Sequence, residues 1–181
     1  MVEEIKMNEK DNTNEEVIDQ DIDSLETREP KKQFNPDLYQ GEKIKLLKPQ
    51  IKEVIDWYTG EETGDGKRAY NPDSKEKKKV VEIQTENLQE LDKDGTKTGK
   101  DLKFGENFIS VKQQFNLKKE LNIETEKEEW VISKHPKAAL WKFMRKMGVE
   151  KLSELEGKIV IITTVPSNNE DDDRKYLRIV I

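Results

Sequence analysis

The sequence predicts a mainly β domain carrying one helix, set behind an acidic N-terminal segment. Three observations predict it. The runs KIVIITTV (158–165) and KYLRIVI (175–181) are β-branched or strictly alternating, as strands packed on a core require. Only PKAALWKFMRKMG (136–148) has clear helical periodicity, with Leu140, Phe143, Met144 and Met147 at i, i+3, i+4 and i+7. Residues 1–36 hold 11 acidic and 5 basic residues and few apolar ones. Burial of so few apolar groups does not offset the entropy of ordering that length, about 1–2 kcal/mol per residue. The reading is therefore a disordered acidic tail over 1–37 and a folded domain over 38–181.

In chain order, GEKIKLLKPQIKEVIDWYTG (41–60) reads as a long strand bent or broken near Pro49. A helix after Pro49 is the alternative, because Ile51, Val54 and Ile55 also fit i, i+3, i+4. TGEETGDGKRAYNPDSKEK (59–77) is a polar loop punctuated by glycine and proline. A second strand is expected over 78–87, with Val81 and Ile83 alternating against charged neighbours, then a glycine-bearing turn region over 91–101. The third strand is expected over 105–119. There Ile109, Val111, Phe115 and Leu117 share one parity, and Phe108, Ser110, Lys112 and Gln114 the other. Residues 120–129 read as an acidic connection and 129–133 as a short strand. In the helix, Pro136 suits the first turn, Gly148 the position past the end, and Arg145 and Lys146 the cation-favouring last turn. A helical turn through Val149, Leu152 and Leu155 follows, and SNNEDDDR joins the last two strands as a hairpin loop.

Composition narrows the function classes. Hydrophobic residues make up 32% and charged residues 40% of the 181-residue chain, which suits a modest core with solvated segments. No run approaches the roughly 18 apolar residues of a membrane span. The N-terminus lacks the basic-then-apolar pattern of a secretory signal, so a cytoplasmic location without membrane association is expected. With no cysteine, thiol nucleophiles, thiolate metal sites and disulfides are excluded. The net charge of −6 sits in the tail, leaving 28 basic and 28 acidic residues in the body. The acidic average therefore says nothing against a local basic patch.

The order of elements, three or four strands, a helix, then two strands in a terminal hairpin, is that of a five-stranded OB-like barrel with its helix between strands three and four. The segment KAALWKFMRKMGVEKLSELEGKIVIITTV adds a helix with a lone Trp141, the Gly148-Val149 step, Leu152, Leu155, Gly157-Lys158 and the strand Ile159–Val165. In this it resembles small phage and archaeal OB-fold single-stranded-DNA-binding proteins. The resemblance covers 130–181 by motif and 41–119 by strand order. It implies a non-catalytic protein without cofactor that binds single-stranded DNA, or RNA, in replication or recombination. The acidic tail would then recruit replication or recombination proteins or compete for a basic groove. The alternative is an adaptor or structural protein of a phage- or plasmid-like element that binds a protein partner. A catalytic reading has less to stand on: His135 is the lone histidine, and no P-loop, dinucleotide fingerprint or GxSxG motif is present.

Site candidates follow from what single-strand binding needs, aromatic faces for bases and cations for the backbone. On strand three, Phe108 and Lys112 share the face opposite Ile109 and Val111. On the last strand, Tyr176 and Arg178 share the face opposite Leu177 and Ile179. The 59–79 loop offers Arg68, Tyr70 and Lys78 as a flap; unpartnered, the same residues make a solvated loop. Neighbours in a strand face opposite sides, so one of Trp57 and Tyr58 is expected in the core. Trp57 is the preferred core residue, and it is also a stacking candidate. The 134–151 segment carries Lys134, Lys137, Lys142, Arg145, Lys146 and Lys151, either a phosphate track or a solvated face. Glu170–Asp173 lacks the spacing of a calcium loop.

Overall fold

The computed structural model describes residues 34–180; the tail expectation falls almost wholly outside them. Twelve strands and one α-helix follow in chain order: β1 Lys43–Lys45, β2 Gln50–Ile55, β3 Lys77–Asn87, β4 Gln89–Leu91, β5 Lys97–Asp101, β6 Lys103–Phe104, β7 Asn107–Phe108, β8 Ser110–Asn116, β9 Lys118–Asn122, β10 Lys127–Val131, α1 Ala139–Lys146, β11 Ile159–Pro166 and β12 Lys175–Ile179. The fold is mainly β with one helix, as the patterning predicts. Among the described residues no helix is long and apolar enough to cross a membrane.

Two three-stranded antiparallel sheets make the body, β2-β3-β8 and β1-β11-β12. They meet where the first long segment breaks at Leu47–Pro49: Leu46 bridges to Thr85 of β3, and the Leu47 amide donates to Gln84 O at 2.8 Å. Both halves of that segment are strand, and the helical alternative after Pro49 does not form. Pairing explains why: Ile51 lies opposite Val81 and Lys52 opposite Val80, a register only an extended chain can hold. β12 packs beside β8 without joining it in a ladder, so the hydrogen-bonded sheets do not close into a barrel.

The core lies between the two sheets and α1. Leu140, Phe143 and Met144 are buried, the one-sided face the spacing predicts, and Phe143 stacks on Phe115 of β8 at 5.8 Å between centroids. The helix starts at Ala139 rather than Pro136. His135 caps the preceding turn, its carbonyl accepting from the Ala138 amide at 2.9 Å and its Nδ1 from the Lys137 amide at 3.2 Å, and Ala138 is extended. The far end closes on Gly148, whose φ of 67° is left-handed. Val149 N–H donates to Met144 O and Gly148 N–H to Arg145 O, the paired bonds of a Schellman stop. At the other pole Tyr39 is buried, stacked on Phe34 at 5.8 Å, with its hydroxyl donating to Gln89 O.

Three stretches depart from the expected pattern. Residues 91–101, expected as a turn region, end in β5, which pairs with β4 around a tight turn where Asp92 Oδ1 accepts from the Asp94 and Thr96 amides. Strand 105–119 is divided into β7, β8 and β9, which lie in three different sheets. The acidic connection 120–129 instead contributes to a β9–β10 hairpin, with Glu126 turned to φ 55°.

β3 is buried on both faces: Val81 and Ile83 face the core, while Val80 and Glu82 lie on the opposite side. Glu82 is 5% exposed, and its carboxylate accepts from Lys52 Nζ at 2.6 Å and from Gln114 Nε2 at 3.0 Å. The Lys52 hydrogen bond, against the opposing effect of burial, holds its pKa below the usual value of 4.5. A carboxylate with a lowered folded pKa adds stability that is complete above its unfolded value and is lost as pH falls through the folded one. Stability is therefore expected to drop as pH falls below about 4.5. Glu82→Ala should cost about 1–3 kcal/mol at neutral pH, because Gln114 and Lys52 lose their partner. It should also flatten this part of the acid limb. Urea unfolding at several pH values checks both.

Candidate nucleic-acid interface

The 56–76 connection is a folded hairpin-like loop. The Asp56 amide donates to Glu76 O and the Asn71 amide to Trp57 O, closing its base. Above, Glu62 bridges Arg68, and Gly60 meets Ala69 so closely that a Cβ there would lie 2.7 Å from the Ala69 Cβ, which only glycine permits. The loop raises three aromatic rings. Tyr70 stands 6.4 Å from Trp57 and 5.7 Å from Tyr58, and all three are at least 40% exposed. Trp57 is thus not a core residue. β2 ends at Ile55, so the strand alternation that would bury one of Trp57 and Tyr58 no longer applies.

Across from this loop stands the β9–β10 hairpin, where Trp130 lies opposite Lys119, whose Nζ is 6.0 Å from the indole centroid. Loop, hairpin and the adjoining ends of β3 and β8 enclose a groove of about 770 Å³. Tyr58 and Trp130 line it together with Lys67, Arg68, Lys77, Lys78, Lys118 and Lys119, six cations against the carboxylates of Asp56 and Glu76. Asp56 is shared by Arg68 at 3.7 Å and Lys78 at 3.3 Å. The other cations have single surface partners, Lys77 with Glu53 at 3.0 Å and Lys118 with Glu120 at 3.0 Å among them. Exposed pairs of this kind are worth only about 0–1 kcal/mol, so an incoming phosphate competes with them on good terms.

Of the residues singled out in the sequence, Arg68 and Lys78 line this groove, and Trp57 and Tyr70 adjoin it through Tyr58. The other four lie elsewhere. Phe108 is 51% exposed on the β6–β7 hairpin, with Lys103 Nζ 4.6 Å from its ring centroid. Lys112 is exposed on β8, opposite Gln84. Tyr176 and Arg178 are exposed on β12 while Leu177 and Ile179 turn inward, the alternation expected. The Tyr176 hydroxyl donates to Asp172, whose carboxyl is held far below the usual range, chiefly by its hydrogen bond from Arg174. Arg178 borders a smaller crevice of about 280 Å³ with Gln113, whose buried Oε1 accepts no hydrogen bond. The cations of the 134–151 segment are exposed, and Lys134 Nζ lies 5.4 Å over the Trp141 ring. Among the described residues no three histidine, aspartate or glutamate side chains gather as a metal site.

Sequence reasoning passed over Trp130, Lys118 and Lys119. A signal was available: two lysines and a tryptophan flanking an acidic turn are a basic–aromatic hairpin once the two flanks pair. Fold and site together define a mainly β protein with a basic, aromatic-lined groove beside its central sheet. No protein-family model, curated protein or solved structure matches the chain.

Proposed function

We propose that this protein binds single-stranded nucleic acid, DNA in replication or recombination, in the groove between the 56–76 loop and the β9–β10 hairpin, without catalysing a reaction. The observation that carries this reading is the groove lining: six cations interleaved with Tyr58 and Trp130. Cations neutralise a phosphate backbone, and exposed rings stack on bases of any sequence. The strand arrangement supports an open OB-type fold. Read in space, β8-β3-β2 continues through Leu46 into β1-β11-β12, β12 returns beside β8, and α1 lies between the third and fourth long strands. In such folds the face of the second and third strands and the loop after the first strand bind oligonucleotides.

Binding is expected to be salt-dependent, since each neutralised phosphate releases condensed counterions. Four to six contacts predict a slope of log K against log salt of about −3 to −4, or roughly 50- to 250-fold between about 50 and 200 mM salt. Titrating an oligothymidylate of about twenty nucleotides against tryptophan fluorescence measures this. The absence of binding at low salt would overturn the reading.

A second reading, an adaptor that docks a protein, is favoured by one observation. Ile159, Ile161 and Val180 are exposed on the outer side of the β1-β11-β12 sheet, with Lys43 and Lys45 opposite the two isoleucines. A stoichiometric protein partner in pull-downs, with no affinity for oligonucleotides, would decide for it.

A further inference from the structure

β2 is the outer strand of its sheet, paired to β3 alone. The Asp56 amide donates to Glu76 O in step with the β2–β3 register, and the Leu117 amide to Lys79 O in step with the β3–β8 register. Hydrogen-bonded positions alternate along an antiparallel strand, so β3 turns its even-numbered residues to β2 and its odd-numbered ones to β8. In β2, Gln50, Lys52 and Val54 therefore bond to β3, while the amides and carbonyls of Ile51, Glu53 and Ile55 face the open edge. Among the described residues nothing pairs with them. The open stretch is bounded on both sides. Pro49 has no N–H to give, and the Trp57 carbonyl already accepts from the Asn71 amide at 2.7 Å. Exposed apolar edges invite pairing with another strand. Here Ile51 is 62% and Ile55 40% exposed, both on one face of the strand.

We propose that a second copy of this chain pairs with this edge, β2 against β2 in antiparallel, about a two-fold axis at Glu53. Self-complementarity selects this occupant. The two-fold sets Ile51 opposite Ile55 of the second copy, and Ile55 opposite Ile51 of the second copy. The three residues with open backbone groups then exchange their bonds with the same three residues of the other copy, and matching faces meet. Displacing the register by one residue sets open groups against ones already bonded to β3. Displacing it by two sets Ile55 against Pro49 or Ile51 against Trp57. Charge agrees with the same register. Glu53 meets Glu53 of the second copy, but each is bridged to its own Lys77 at 3.0 Å and lies opposite Lys79 of β3, so the two acids are bracketed by cations. Lys52, on the other face, is held by Glu82 at 2.6 Å and meets the apolar Val54 of the second copy. The two 56–76 loops leave from the Ile55 ends, which the axis places at opposite ends of the joined sheet, so the pairing does not involve the groove.

One short strand per copy buries less than a standard interface, so the dimer belongs to the weak, micromolar class. Sedimentation velocity of the full chain, without oligonucleotide, from about 5 to about 500 μM measures it. The expected result is a shift from one chain toward two across that range. Ile51→Lys sets a charge against Ile55 of the second copy, and Glu53→Pro removes a central N–H that β3 does not use. Each is expected to weaken the dimer about tenfold or more, because every substitution acts twice across the two-fold. Circular dichroism checks that both variants fold; if Glu53→Pro does not, Ile51→Lys decides alone. Ile159→Lys, on the exposed side of the other sheet, is expected to leave association unchanged. A chain that stays single over the whole range overturns the proposal. So does a dimer that Ile51→Lys leaves intact, or one that Ile159→Lys dissolves, which would move the interface to β11.

Discussion

Replacing Tyr58 and Trp130 together by alanine is expected to weaken binding of a long oligothymidylate by about 100-fold or more. Each ring that stacks on a base contributes about 1–3 kcal/mol, and these two line the groove from separate elements, the 56–76 loop and β10. Tyr58 is 54% exposed and its ring contact is with Tyr70, itself exposed, so removing it leaves the core untouched. Trp130 is half-buried and packs near Lys119 within its hairpin, so its loss also loosens local packing. Trp130→Phe separates the two effects: it keeps a stacking face and is expected to restore most of the affinity that Trp130→Ala removes. Because both substitutions at Trp130 alter the fluorescence signal, anisotropy of a labelled oligonucleotide is the measurement. Unchanged affinity in the double variant would mean that the bases do not meet these rings.

Phe143→Ala is expected to destabilise the domain by about 3–5 kcal/mol, the usual cost of truncating a buried aromatic and leaving a cavity. Phe143 is fully buried, and its ring stacks on Phe115 at 5.8 Å with an interplanar angle of 20°. That contact is worth about 0.5–1.5 kcal/mol beyond area alone. Domains of this kind hold only about 5–15 kcal/mol in total, so one substitution removes a large share. Urea unfolding followed by circular dichroism measures the loss. Ile159→Thr is the contrast: Ile159 is 59% exposed, and its change should stay within about 0.5 kcal/mol. A loss below about 1 kcal/mol at Phe143 would mean that α1 is not clamped to β8 as described.

The residues at which pattern and fold agree are those that bury apolar area. Leu140, Phe143 and Met144 are the buried side of α1, and Ile179 is the buried side of β12 with Tyr176 and Arg178 outward. The disagreements fall where strands bury almost nothing. All five residues of β5 are exposed, and β9 and β10 are mostly charged. Such strands form through backbone pairing across a tight turn, and hydrophobic periodicity carries no trace of that pairing. The same reasoning accounts for Trp57: parity predicts a face only while the strand continues, and β2 stops at Ile55, two residues earlier.

The sequence by itself determined the fold class, the position and inward face of the helix, the alternation of the last strand, and a neutral body behind an acidic segment. Each of these follows from the local spacing of apolar and charged residues. Tertiary structure alone decided which basic and aromatic residues share a groove. Tyr58 and Arg68 come from the loop after β2, Lys78 from β3, and Lys118 and Trp130 from a hairpin some forty residues further along. They converge because β3 pairs with β2 on one edge and β8 on the other, so the chain ends leaving those strands meet on one side of the sheet. Long-range pairing of this kind is set by the register of the whole sheet, and no short stretch of sequence encodes it.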